Sequence, residues 1–289
     1  MVLLLVCISA NVVLALLFKV FPKYGIRNFP AIVINYFVSI LVGSILAKEF
    51  VIKADIYQSE SLPYIIVLSL LFITGFNILG KSFQIFGIAM TTIIQKMSIL
   101  ISALFAIIVY HESINASKLS GLLLAVAAII FVNYIPKAKR GKALDKPMSQ
   151  YAYPFLAFLL SGIIEVILLV VGKEGYMTNS IEFVSAAFAL AGLIGLVYII
   201  VTHRPIIRTK EIGAGILLGV PNFLTIYLLI ALVENGWNGS VLFPMNNIGV
   251  LLISALVGVI LFQEKLDRYT TLGLVLALLS IVLIGMELI

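Results

Sequence analysis

Apolar runs long enough to cross a membrane make up most of the chain. They fall at about 2–21, 28–47, 63–85, 88–110, 116–135, 151–172, 179–201, 212–233, 239–262 and 268–289. A helix needs roughly 20 apolar residues to span the hydrocarbon core. Runs of this length are too long for barrel strands, and lipid demands a backbone that satisfies its own hydrogen bonds. The pattern therefore predicts an all-α membrane protein with ten transmembrane helices. The first run has no separate cationic segment ahead of it and no small-residue cleavage site, so it reads as a retained span rather than a signal peptide. The longest connections, 48–62 and 136–150, are too short to bury a core of their own. Function is expected within the membrane or at its surfaces.

The polar residues that interrupt these runs fall on single helical faces. The third run carries Thr74, Asn77, Lys81 and Gln84, and the fourth carries Thr91, Gln95, Ser98 and Ser102. The second has Asn35 and Ser39, and the sixth has Ser161 and Glu165. Asn222 and Thr225 follow Pro221 in the eighth, and Asn246, Asn247 and Ser254 lie in the ninth. In lipid such residues mark the protein-facing side. For Ser102, Ser161 and Ser254 plain interhelical hydrogen bonding is the preferred reading. For Asn77, Gln84, Gln95 and Asn247 ligand binding stands beside it. The fifth and tenth runs are almost purely aliphatic and are expected at the lipid-facing periphery.

The chain also aligns with itself at an offset of 152 residues. Ile101-Ser102-Ala103-Leu104 matches Ile253-Ser254-Ala255-Leu256, Glu112 matches Glu264, and Gly121 matches Gly273. Ser9, Tyr24, Gly43 and Gly87 match Ser161, Tyr176, Gly195 and Gly239. Each copy holds five spans. An odd number inverts the second copy, a construction common in secondary transporters. The expected organisation is a first repeat at 1–135, a basic connecting loop at 136–150 and a second repeat at 151–289. Gln95 and Asn247 are repeat partners, so each half offers one amide to a shared cavity.

Composition sharpens this picture. Hydrophobic residues form 62% of the chain and charged ones 11%, with mean hydropathy +1.20. That excludes soluble, disordered and disulfide-rich classes. Cys7 is the one cysteine, so no thiolate metal cluster or internal disulfide is available. The net charge of +6 points to anionic lipid rather than nucleic acid as the charged partner. Four charges fall inside or near the ends of spans without a charged repeat partner: Lys19, Lys81, Lys96 and Glu165 correspond to Val171, Val233, Ile248 and Val13. A charge at a helix centre costs at least about 2.5–3.5 kcal/mol, so one copy has specialised. Snorkelling explains Lys19 and is one reading of Lys81. For Lys96 and Glu165, separated in depth by roughly 9 Å on the helical rise, two readings stand. One is a structural ion pair. In the other, Lys96 attracts an anionic substrate group and Glu165 binds a proton or a cation.

At this point the sequence resembles the EamA-type drug/metabolite transporter superfamily. The resemblance rests on the five-plus-five pattern, the span ends Tyr110-His111-Glu112 and Phe262-Gln263-Glu264, and the following Gly121 and Gly273. It covers essentially the whole chain and implies carrier-mediated transport, often export, with no enzyme activity and no cofactor. Thr92 stands where the family usually has Pro late in the fourth span, while Pro244 is kept.

Two motifs need separate treatment. Gly75-Phe76-Asn77-Ile78-Leu79-Gly80-Lys81-Ser82 fits G-x-x-x-x-G-K-[ST], but a P-loop needs a strand before it and an α/β domain around it. The stretch lies inside one apolar run, so nucleotide binding is rejected. Glu112 and Glu264 close spans and are expected to accept from the N–H groups opening the next helix. Pro221 and Pro244 permit kinks, and Gly215-x-x-x-Gly219 signals close packing. His111 and His203 lie near span ends and make no metal or catalytic site.

Loop cations are uneven. Lys48, Lys53, Lys118 and Lys173 lie on the N-terminal side. Twelve lie opposite, including Lys23, Arg27, Arg140, Arg204, Arg208 and Arg268. The positive-inside rule then puts the 136–150 loop in the cytoplasm and both termini outside, against the family expectation of cytoplasmic termini. The expected protein is a multi-pass carrier of a bacterial cytoplasmic membrane. It exports a small polar or amphipathic metabolite by alternating access, with a proton or ion as coupling partner, and its oligomeric state is open. Candidate substrate-binding residues are Asn35, Asn77, Lys81, Gln84, Gln95, Lys96, Glu165, Asn222 and Asn247. A flippase for a lipid-linked intermediate, or a non-transporting membrane assembly factor, remains the alternative.

Overall fold

The computed structural model describes residues 1–51, 60–132, 147–176, 179–202, 207–262 and 268–286. Glu264, His203 and most of the 136–150 loop lie outside the described residues. The same holds for the side chains of Lys19, Asn77, Gln84 and Thr92.

Ten α-helices are present and no strand is seen among the described residues. They are α1 (Val2–Val20), α2 (Asn28–Ala47), α3 (Leu62–Lys96), α4 (Ile99–Val109) and α5 (Ala116–Val132), followed by α6 (Ala152–Glu174), α7 (Ser180–Val201), α8 (Thr209–Glu234), α9 (Gly239–Phe262) and α10 (Arg268–Gly285). Among the described residues, six stretches are long and apolar enough to cross a membrane: Val2–Tyr24, Asn28–Ala47, Ser149–Glu174, Ser180–Val201, Thr209–Glu234 and Gly239–Val257.

One expected boundary is corrected. The sequence pattern breaks the third and fourth spans near residues 86–87. Instead α3 continues through Gly87 to Lys96, and the chain turns at Met97–Ser98. Lys96 therefore closes α3 instead of lying eight residues into its own span, and the depth difference assumed between it and Glu165 no longer applies. Between Lys81 and Ser98 the run offers only Gly87 as a breaker, and one glycine inside a helix costs only about 1 kcal/mol.

The helices fall into two compact units that cut across the repeat. Unit 1 comprises residues 1–77 and 167–236; unit 2 comprises 78–166 and 237–289. Each contains helices related by the 152-residue offset that pack together: α2 with α7 in unit 1, and α4 with α9 and α5 with α10 in unit 2.

Unit 1 is organised by α2, which packs against both α7 and α8. Residues 27, 31 and 35 on α2 or just before it meet 211, 215 and 219 on α8, so the two helices run parallel. A Cβ on Gly215 would lie 2.7 Å from the Ala31 carbonyl oxygen and 2.5 Å from Ile34, and one on Gly219 would lie 2.4 Å from Val38. The Gly215-x-x-x-Gly219 pair is thus the contact face of α8, where small residues let backbones approach. Tyr36, Phe72 and Phe188 stack beside it, with ring centroids 5.3–6.4 Å apart, and Phe223 extends the row.

Parallel packing brings two positive helix ends together. Glu211, in the first turn of α8 and with a side chain 0% exposed, compensates them. It is bonded to Arg27 Nε, accepts from Arg27 Nη2 at 2.6 Å, and accepts from the Arg208 backbone N–H at 2.9 Å. Sequence reading did not single out this carboxylate. Its signal is the lone acid opening an apolar helix among cations.

Unit 2 has an aliphatic core of Ile99, Ala125, Ala128, Ile129, Ile248 and Ala277. Gly121 admits Ile284 of α10, and Ser280 Oγ donates to the Gly121 carbonyl at 2.7 Å. The opposite faces of α5 and α10 expose Leu119, Leu123, Val275, Leu278 and Val282, as expected of helices turned toward lipid. Glu112 does accept from helix-opening N–H groups, those of α9. Gly239 N and Ser240 N each donate at 2.9 Å, and Ser240 Oγ bonds the same carboxylate. Lys118, expected in a loop, is buried in the first turn of α5 with Nζ donating to the Ser113 carbonyl at 2.6 Å.

Candidate functional site

Unit 2 concentrates its polar side chains where the end of α3, the start of α4, the middle of α6 and the first turns of α9 meet. Glu165 lies thirteen residues after the first residue of α6, about 20 Å along it. Its carboxylate accepts from Ser102 Oγ at 2.7 Å, Asn247 Nδ2 at 2.9 Å and Ser98 Oγ at 3.5 Å. Lys96 Nζ donates to Asn247 Oδ1 at 2.9 Å. One turn before Glu165 on α6, Ser161 Oγ receives Gln95 Nε2 at 3.1 Å.

The chemistry of the ends fixes the orientation of the middle. An ammonium group only donates and a carboxylate only accepts. The Asn247 amide must therefore turn its oxygen to Lys96 and its nitrogen to Glu165. The result is a cation–amide–anion chain across three helices in a low-dielectric setting, where such attractions are stronger than in water. Ser98 contributes in an unusual way: it precedes α4 at the N-cap position, yet its hydroxyl is directed to Glu165 and makes no cap bond.

Of the candidate residues, Gln95, Lys96, Glu165 and Asn247 come together here. Asn35 and Asn222 form a separate buried pair in unit 1: Asn222 Nδ2 donates to Asn35 Oδ1 at 3.1 Å. Ser39 Oγ donates to the Asn35 and Gly219 carbonyls at 2.9 and 3.2 Å. Lys81 is exposed and sits 5.7 Å from the Tyr153 ring centroid, a cation–π contact apart from the Glu165 chain. Asn77 and Gln84 have side chains outside the described residues.

Ser98, Ser102 and Ser161 carry more weight than sequence reading gave them. The available signal was the spacing of Gln95, Ser98 and Ser102 on one face. The repeat counterpart of Ser102 shows the contrast. Ser254 Oγ is buried with no hydrogen-bond partner among the described residues, and the residue corresponding to Glu165 is Val13.

The EamA-like transporter family matches residues 153–286. The match covers 134 of the 289 residues. The EamA-like segment opens within α6, takes in Glu165 and Asn247, and ends just past α10, in agreement with the resemblance read from the sequence. An uncharacterized protein of Haemophilus influenzae is 27% identical over 288 residues, covering 96% of this chain and 95% of its own length. A solved crystal structure of a protein superposes with a TM-score of 0.79 at 13% identity, over 99% of this chain and 96% of that one; this likeness is one of fold. With its apolar helices and EamA-like segment, the protein is an integral, multi-pass membrane protein.

Proposed function

We propose that the protein is a secondary carrier, an exporter of a small polar or amphipathic metabolite. It works by alternating access on a ten-span scaffold of two inverted five-helix repeats, 1–135 and 151–289, joined by the basic loop at 136–150. The observation that carries this reading is the chain Lys96–Asn247–Glu165. A charge within an apolar span is expensive, and two half-buried ones linked through one adaptable amide can be exchanged for the charges of a ligand. An anionic substrate group takes the place of the Asn247 oxygen on Lys96. Glu165 then either takes up a proton and becomes neutral, or stays ionised beside a cationic group while Ser102 and Ser98 continue to donate to it. Gln95 lends a further amide from the adjacent turn.

A thermal-shift screen of the purified protein against small carboxylates, amines and zwitterions tests the reading, because a ligand that binds only the folded state raises its melting temperature. We expect at least one compound to stabilise the wild type, and Glu165→Gln or Lys96→Met to remove most of that shift. Shifts unaltered by both variants, or no hit across the panel, would count against this site.

A further inference from the structure

The end of unit 1 where α2 and α8 begin carries more positive charge than its acid neutralises. Arg27 directly precedes α2, and Arg208 directly precedes α8. Glu211 compensates Arg27. Lys23, Arg208 and Lys210 remain, all exposed. They are neighbours: Lys210 Nζ donates to the Tyr24 carbonyl at 3.1 Å and lies against Gly25.

Beneath this rim α8 presents a bare apolar stripe. Ile212, Ile216 and Val220 are 42%, 51% and 47% exposed. Their i, i+4, i+8 spacing puts them on one face, spanning about 12 Å along the helix. One leaflet's hydrocarbon is about 15 Å deep, half of the full core. The exposed Tyr24 ring, and Tyr198 edge-on to Phe29 at 5.4 Å, flank the same end, as aromatic residues do at the membrane–water boundary.

A cationic rim above an apolar stripe one leaflet deep is complementary to an amphiphile with an anionic head. We propose that this corner of unit 1 binds an anionic phospholipid. The phosphate sits among Lys23, Arg208 and Lys210, and one acyl chain lies along Ile212, Ile216 and Val220. A free phosphate gives the stripe no role, and a zwitterionic lipid leaves the surplus charge unmatched. The proposal does not depend on the carrier reading.

Native mass spectrometry of the full chain in detergent, with phosphatidylglycerol and phosphatidylcholine competing at equal concentration, tests it. The wild type retains phosphatidylglycerol preferentially. K23Q/R208Q/K210Q loses that preference by about tenfold or more, since each basic side chain at an anionic surface contributes about fivefold. The charge-keeping variant K23R/R208K/K210R retains it, as does Lys48→Gln at the far end of α2. Three results would overturn the proposal: no preference in the wild type, full preference in the triple glutamine variant, or displacement of the lipid by inorganic phosphate alone.

Discussion

Ser102 and Ser254 occupy equivalent positions in the repeat and have opposite energetic roles. The Ser102 hydroxyl donates to the Glu165 carboxylate at 2.7 Å; the Ser254 hydroxyl is buried without a partner among the described residues. Hydrogen bonds to charged groups are worth about 1.5–3 kcal/mol, and the largest measured between membrane helices are about 1.7. We expect Ser102→Ala to cost about 1.5 kcal/mol and Ser254→Ala to be neutral or slightly stabilising, as removal of an unsatisfied buried polar group should be. Unfolding of the two variants in the same detergent compares them directly. At this scale much of the site was legible. Gln95, Lys96, Glu165 and Asn247 stand out because polar residues in apolar spans are conspicuous. What was not legible is which of two matched serines matters, since that depends on the residue facing each.

Helix α8 shows what one element can encode. Three glycines at 213, 215 and 219 look alike in the sequence. A Cβ on Gly213 would have nothing within 4 Å, whereas one on Gly215 would strike the backbone of α2. We expect Gly215→Ala to lower stability by about 1–3 kcal/mol through overpacking. Gly213→Ala should raise it by about 0.5–1 kcal/mol through helix propensity and a less flexible unfolded chain. Thermal denaturation of the purified variants reads both. The G-x-x-x-G motif thus marked the contact but not its partner. Helix positions were legible from the length of apolar runs. The α3–α4 boundary was not, because the turn at Met97–Ser98 uses neither glycine nor proline and the 62–109 run continues across it.

For the whole molecule, the compact units and the sequence repeats divide the chain differently. Each unit draws helices from both halves, so neither half contains a complete core. We expect residues 1–140 or 141–289, expressed alone in a membrane, to be degraded. The two expressed together should co-purify as a complex that unfolds near the intact chain's temperature. Accumulation of a stable, folded half on its own would refute this. The matches at a fixed offset of 152 residues are visible in the sequence. The way each unit draws helices from both halves is not, because packing partners leave no mark in a single chain.

The Glu112 carboxylate finds its donors at Gly239 and Ser240, 127 and 128 residues later in the chain. At a synthesis rate of about 5–20 residues per second, the ribosome needs roughly ten seconds to deliver them. For that interval these two native donors to the acid do not yet exist. Because two of its eventual bonds are to main-chain N–H groups, their formation reports that the start of α9 has arrived as helix, whatever side chains it carries. The Glu112 contact therefore joins the first half of the chain to the second only once the second has been made.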